Sequence, residues 1–166
     1  KERIVLVPGG GDRNSTIMNI ADRIESDFGQ QDEHIIVTHD SVRPFVTLRI
    51  IEENIDGALQ YGAVDTVVEA TDTIVVSEGG EVISEIPDRR KMFQGQTPQS
   101  FRLSMLKSLY QDLSPQEKAI LTDACKICVV RNKPVHLVRG EVSNLKITTV
   151  SDYKIAQAMI GGTSVD

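Results

Sequence analysis

The chain has 166 residues, 40% hydrophobic and 25% charged, with 24 acidic against 18 basic residues and a net charge of -6. That length supports one domain with its own core, and the acidic balance argues against broad binding to nucleic acid or to an anionic membrane. No apolar run approaches the ~20 residues of a membrane span, and the first residues lead into a β-branched run rather than a signal peptide, so a cytoplasmic location is expected.

In chain order, the β-branched residues 3–7 predict a buried strand. The turn Pro8-Gly9-Gly10-Gly11-Asp12-Arg13-Asn14-Ser15 follows, then a helix with Ile17, Ile20, Ala21, Ile24 and Phe28 on one stripe. Asn14 or Ser15 can cap that helix. The three glycines allow a ligand close to the backbone, and the free amides at the helix start favour an anion or a carbonyl oxygen; a plain flexible turn is the other reading.

Residues 35–38 predict a buried strand that stops at Asp40, with Arg43 and Pro44 in the loop beyond. Ligands of open α/β sheets bind outside the carboxyl ends of the strands, so Asp40 and Arg43 are placed to hold a cation and an anion side by side. This suggests a phosphate-bearing substrate with a metal. A helix over about 47–61, ended by Gly62, and a strand over 64–70 continue an alternating order that predicts parallel pairing.

The rhythm then changes. Residues 73–77 and 81–86 flank Glu78-Gly79-Gly80-Glu81, which predicts a hairpin projecting from the sheet or lying on its edge. The basic cluster Asp88-Arg89-Arg90-Lys91 reads as solvated surface, and the polar run Gln94-Gly95-Gln96-Thr97-Pro98-Gln99 as a returning loop. A helix is predicted over 101–110 with Phe101, Met105, Leu106 and Leu109 inward. Ser114-Pro115-Gln116-Glu117 is a capping box opening a helix to about Cys128, with a break and new cap at Thr122-Asp123. Strands over 135–138 and 145–148 and a helix over 151–160, closed by Gly161-Gly162, complete the chain. Cys125 and Cys128 fall late in a helical apolar pattern with no His at ligand spacing. They read as two reduced buried thiols rather than a redox pair or half a zinc site.

His39-Asp40-Ser41-Val42-Arg43-Pro44, the glycine-rich loop at 9–16, Thr71-Asp72-Thr73, Asp88-Arg89, Thr97-Pro98-Gln99 and Asn144-Leu145-Lys146-Ile147-Thr148 together resemble the cytidylyltransferases that move CMP from CTP to a polyol phosphate. The resemblance covers residues 1 to about 160. It implies a Rossmann-like α/β nucleotidyltransferase sheet with a projecting β-hairpin arm at about 71–93 that clasps a second copy as a homodimer. The family's loop L-A-G-G-x-G-x-R-M and its P-K-Q have no counterpart here. The resemblance therefore implies one truncated domain over 1–166, lacking its N-terminal part and expected not to release pyrophosphate from CTP by itself.

The implied site residues are Lys146 and Asp40 for catalysis, with Asp40 also holding Mg²⁺. Gly10, Gly11, Asp12, Thr16 and Ser41 are implied for CTP, and Arg43, Thr73, Arg89 and Thr97 for the polyol phosphate, with Arg89 reaching across the dimer. His39 is expected to be structural rather than a base. The runs around Thr38–Phe45, Val64–Ala70 and Ser143–Lys146 are similar to the branch that acts on ribitol 5-phosphate and supplies CDP-ribitol for teichoic acid. The branch acting on methylerythritol 4-phosphate, in isoprenoid synthesis, more often reads H-D-A-A-R-P and carries Asp at position 143; it is the alternative. A non-catalytic nucleotide-binding or dimerisation module is the reading from another class.

Overall fold

The computed structural model describes residues 4–161. Its sheet has four strands in the order β1-β3-β2-β4, where β1 is Ile35–Thr38, β2 Ala63–Glu69, β3 Phe93–Arg102 and β4 His136–Arg139. β3 runs antiparallel to both β1 and β2, and only β2 and β4 pair in parallel. The expected parallel pairing of the first two strands is thus corrected, because β3 lies between them.

The central β3 is the stretch that reads as a loop. Its Gln96, Thr97, Gln99 and Ser100 are all buried, and each finds a polar partner. Gln96 donates to the Glu141 carbonyl at 2.9 Å, Gln99 to the Asp65 carboxylate at 3.0 Å and Ser100 to Asn54 Oδ1 at 3.1 Å. Buried polar groups are tolerated when bonded, so tertiary partners here override local propensity. Between Asp65 and Val67 β2 advances two residues while β3 retreats from Gln99 to Gly95. This irregularity leaves Gln96, Thr97 and Pro98 out of the ladder. The Thr97-Pro98 peptide is cis.

Helices cover both faces. α1 (Arg13–Phe28), α3 (Leu103–Gln111) and α5 (Ala124–Val130) bury Ile17, Ala21, Leu106, Ile127 and Cys128 against Ile36, Ala63 and Phe101. On the other face α2 (Leu48–Tyr61) sets Ala58 against Val64, Val138 and Ile35. Alternate residues of a strand point to opposite faces, which is why Ile35 and Ile36 join different clusters.

Asn54 pins α2 to the sheet. Its amide donates to Thr66 Oγ1 at 2.8 Å and to the Ile50 carbonyl at 2.9 Å, while its Oδ1 accepts from Ser100. Asn54→Ala leaves the Ser100 hydroxyl unpartnered in a sealed interior. Chemical denaturation should show a loss of about 2–3 kcal/mol; a loss within experimental error would mean that the hub carries no stability.

The remaining differences have local causes. Residues 4–7 form no strand; Ile4 and Leu6 are 80% and 91% exposed, with no strand beside them among the described residues. Residue 3 of that expected strand lies outside the described residues, as does Gly162. α1 is capped by Asp12, not Asn14 or Ser15, through a capping box with Ser15. α3 begins at Leu103, so Phe101 is a strand residue. Between Ser114 and Arg131 the predicted break is present: α4 (Pro115–Ala119) is capped by Ser114 and α5 by Asp123. The hairpin reduces to one antiparallel bridge, Val76 to Glu85, around Gly80 at φ +80°. Residues 145–148 form no strand but a segment without regular structure leading to α6 (Val150–Gly161).

Candidate active site

Asp40 stands just beyond the end of β1, and three cations converge on its carboxylate. Arg13 from the first turn of α1 donates to Oδ1 at 2.8 Å. Lys146 reaches Oδ2 at 3.1 Å, and Arg43 approaches the same oxygen at 3.4 Å. Burial pushes the Asp40 carboxyl up, but the Lys146 hydrogen bond and the Arg13 charge outweigh it, so the group is held below its ordinary value.

The cluster separates two clefts. One, of about 460 Å³, is lined by Arg13, Thr16, His39, Asp40 and Ser41 with apolar residues of α1 and β1. The other, of about 280 Å³, is lined by Arg43, Lys146, Thr71, Gln94 and Gln96 among others. Thus Thr16, Asp40 and Ser41, expected at the nucleotide, share one cleft, while Arg43 opens into the other. Arg89 donates to the Thr71 carbonyl at 2.8 Å within the same chain, beside that second cleft. Thr73 is exposed on the arm.

Several expected ligand groups are engaged within the protein. The Asp12 carboxylate accepts from the Ser15 amide at 2.7 Å, and that backbone bond holds its carboxyl below the ordinary value. Thr16 Oγ1 accepts from the Gly10 amide at 2.8 Å and donates to the Asp12 carbonyl. The site thus places Gly10 in the pinned turn, and a Cβ there would come 2.7 Å from the Ser15 carbonyl carbon. Gly11 has open space around its Cα. Thr97 is only 4% exposed, and its hydroxyl serves Asp40 and His39, not an open cleft.

The donor set does not fit a protein-held Mg²⁺. Both Asp40 oxygens already face cations, and among the described residues no group of three His, Cys, Asp or Glu could hold a metal. In this arrangement a divalent ion at Asp40 would face three positive side chains.

Three contributors were not assigned from the sequence: Arg13, Gln96 and Asn144. Arg13 carried a signal, since a cation in the first turn of a helix opposes the dipole and needs an outside partner. Asn144 donates to Gln96 Oε1 at 3.2 Å and to the Thr97 carbonyl at 2.8 Å, and its own carbonyl accepts from Arg43 at 2.8 Å. The segment bearing Lys146 is thereby tied to β3, and the Ile147 amide donates to the Val42 carbonyl at 2.9 Å.

Away from the clefts, Asp65 faces Gln99, Asp123 and Cys125. Burial pushes its carboxyl up to about 6, with the Gln99 hydrogen bond opposing and the Asp123 charge adding. A raised folded value favours the protonated form, so the stability tied to Asp65 is complete below the unfolded value of 3.8 and is lost as pH rises through about 6. Asp65→Asn should therefore stabilise the fold by roughly 1–2 kcal/mol at pH ~8 and by much less near pH ~4. Equal effects at both pH values, read by thermal unfolding, would contradict this. Burial also pushes both thiols up, Cys128 to about 11, consistent with unreactive buried cysteines.

The family model described as IspD, 2-C-methyl-D-erythritol 4-phosphate cytidylyltransferase, matches residues 1–162. Among solved structures, the chain is similar to the enzyme of that name from Thermus thermophilus, with 25% identity, TM-score 0.76, and 92% of this chain against 71% of that one. It also resembles the Francisella tularensis enzyme of the same name, with 24% identity, TM-score 0.83, 95% of this chain and 72% of that one. The 4-diphosphocytidyl-2C-methyl-D-erythritol synthase of Anaerococcus prevotii matches at 24% identity and TM-score 0.77, covering 92% of this chain and 68% of that one. No described helix is long and apolar enough to cross a membrane. By the family match over nearly its whole length, the chain belongs to the 2-C-methyl-D-erythritol 4-phosphate cytidylyltransferase family of CTP-using nucleotidyltransferases.

Proposed function

We propose that the protein transfers a cytidylyl group from CTP to the phosphate of 2-C-methyl-D-erythritol 4-phosphate. The observation that carries this is the Asp40 cluster standing between two clefts, with Arg13 on one side and Arg43 and Lys146 on the other. A donor nucleotide in the first cleft and an acceptor phosphate in the second would meet at the cations. An acceptor phosphate oxygen attacks the α-phosphorus of CTP. The new P–O bond forms as the α–β bridging P–O bond breaks, and its electron pair leaves with pyrophosphate. Such transfers depend on alignment and charge neutralisation rather than on a nucleophilic side chain. Lys146 and Arg43 supply positive charge at the transferred group. Asp40 keeps both side chains and Arg13 aimed, and Arg89, beside the second cleft, contributes to acceptor binding.

The acceptor follows the substrate in the name of the matching family and of the similar structures. Ribitol 5-phosphate is the second reading, carried by Ser143. That residue stands where the methylerythritol branch carries Asp, and its hydroxyl donates to Glu141 at 3.2 Å. Homodimerisation through the arm accords with its exposed Val75, Val82, Ile83 and Ile86, and a cytoplasmic enzyme with the acidic composition. Pyrophosphate release from CTP, measured with both acceptors on full-length protein, decides the substrate. Preference for the methylerythritol phosphate is expected; preference for ribitol 5-phosphate would reverse the assignment, and release with neither would remove the transferase reading.

A further inference from the structure

We propose that His39 and the Thr97 hydroxyl are positioning residues that set Asp40 and Arg43 relative to the sheet; only the kinetic part of this rests on the function proposed above. Four groups form one chain of hydrogen bonds. The Asp40 amide and Thr97 Oγ1 are 3.0 Å apart, Thr97 Oγ1 and His39 Nδ1 3.0 Å, and His39 Nε2 and the Arg43 carbonyl 2.9 Å.

Chemistry fixes the direction of that chain. A backbone amide can only donate and a carbonyl can only accept. The Arg43 carbonyl therefore requires a proton on His39 Nε2, which leaves Nδ1 as the acceptor in the neutral ring. The Thr97 hydroxyl receives from Asp40 and gives its proton to Nδ1. Both ring nitrogens are satisfied although the residue itself is exposed, which accounts for an imidazole held at the mouth of the first cleft without assigning it acid–base chemistry.

The consequence is geometric. The Arg43 amide donates to the Asp40 carbonyl at 3.0 Å, closing a turn with the carboxylate at one end and the guanidinium at the other. His39 braces that turn from outside by gripping the Arg43 carbonyl. Thr97 anchors the brace to β3, where Gln96 to Pro98 leave the ladder. Without this pair the turn keeps its internal bond and its bonds to Asn144 and Ile147 but loses the tie from the Asp40 amide and the Arg43 carbonyl to Thr97. Displacements of ~1 Å in such sites can cost about a hundredfold in rate.

The test uses Thr97→Val, which keeps the shape without the hydroxyl, Thr97→Ser, which restores the hydroxyl, and His39→Ala at an exposed position. Side-chain nitrogen NMR should show His39 protonated at Nε2 in the unaltered protein. The Arg43 Nε–H resonance should move in Thr97→Val and His39→Ala and return in Thr97→Ser. In cytidylyl transfer, the first two should lower kcat about tenfold or more with little change in the KM for CTP, and Thr97→Ser should recover most of that loss. A proton on Nδ1 instead, an unmoved Arg43 resonance in both variants, or an unchanged kcat in both would overturn the proposal. If the unaltered protein transfers cytidylyl to no polyol phosphate, the functional reading fails, and the nitrogen spectra still decide whether His39 positions Arg43.

Discussion

Lys146→Ala should lower turnover about a hundredfold or more while the KM for CTP stays within a small factor. The expectation comes from contrasting neighbours. Arg43 has a side chain only 11% exposed and is held by the Asn144 carbonyl. The Lys146 side chain is 43% exposed and opens into the second cleft, so its ammonium can leave Asp40 for a phosphate oxygen. A flexible point charge suits a group whose charge grows in the transition state. A steady-state comparison of Lys146→Ala with the unaltered protein checks this, and unchanged turnover would remove Lys146 from the chemistry.

Gly140→Ala should be damaging although it adds only one methyl group. A Cβ at Gly140 would lie 2.4 Å from Gln96 Oε1, 3.0 Å from Thr66 Cγ2 and 3.2 Å from the Val67 carbonyl oxygen. Gln96 is buried, and it holds the Glu141 carbonyl and receives the Asn144 amide, so moving it breaks those bonds. Overpacking there should cost about 1–3 kcal/mol, measurable by denaturant unfolding. Because Asn144 also supports Arg43, turnover should fall as well. A variant as stable and active as the parent would show that Gln96 does not tie the Lys146 segment to β3.

The sequence was most informative where local chemistry and tertiary structure agree. β1 stopping just short of Asp40, α2 closed by Gly62, and the helix caps at Ser114 and Asp123 follow from periodicity and capping residues, and the structure contains each. It was least informative at β3. Gln94 to Ser100 include mostly polar side chains and a proline, and they become central strand because Asp65, Asn54, Asn144 and Asp40 arrive from distant elements to bond them. No local pattern announces partners 34 to 57 positions away.

The site divides in the same way. Asp40 and Arg43 were legible because they share one short turn at a strand end. The convergence of Lys146 on Asp40 followed from a family resemblance, since more than a hundred residues separate them. Arg13 was hidden in a loop whose glycines drew attention to its backbone instead. Thr97 was legible as a site residue, but its burial and its bonds to His39 and Asp40 direct its hydroxyl toward the protein.

The Asp40 carboxylate gathers the three cations on which the proposed cytidylyl transfer depends. Asp40→Asn is nearly isosteric and removes the charge, and one of the two acceptor oxygens, that hold Arg13, Arg43 and Lys146 together. The direct measurement is acceptor-dependent pyrophosphate release from CTP by full-length Asp40→Asn beside the unaltered protein. The account predicts a fall of about a hundredfold or more with the fold retained; a rate equal to that of the unaltered protein would contradict it.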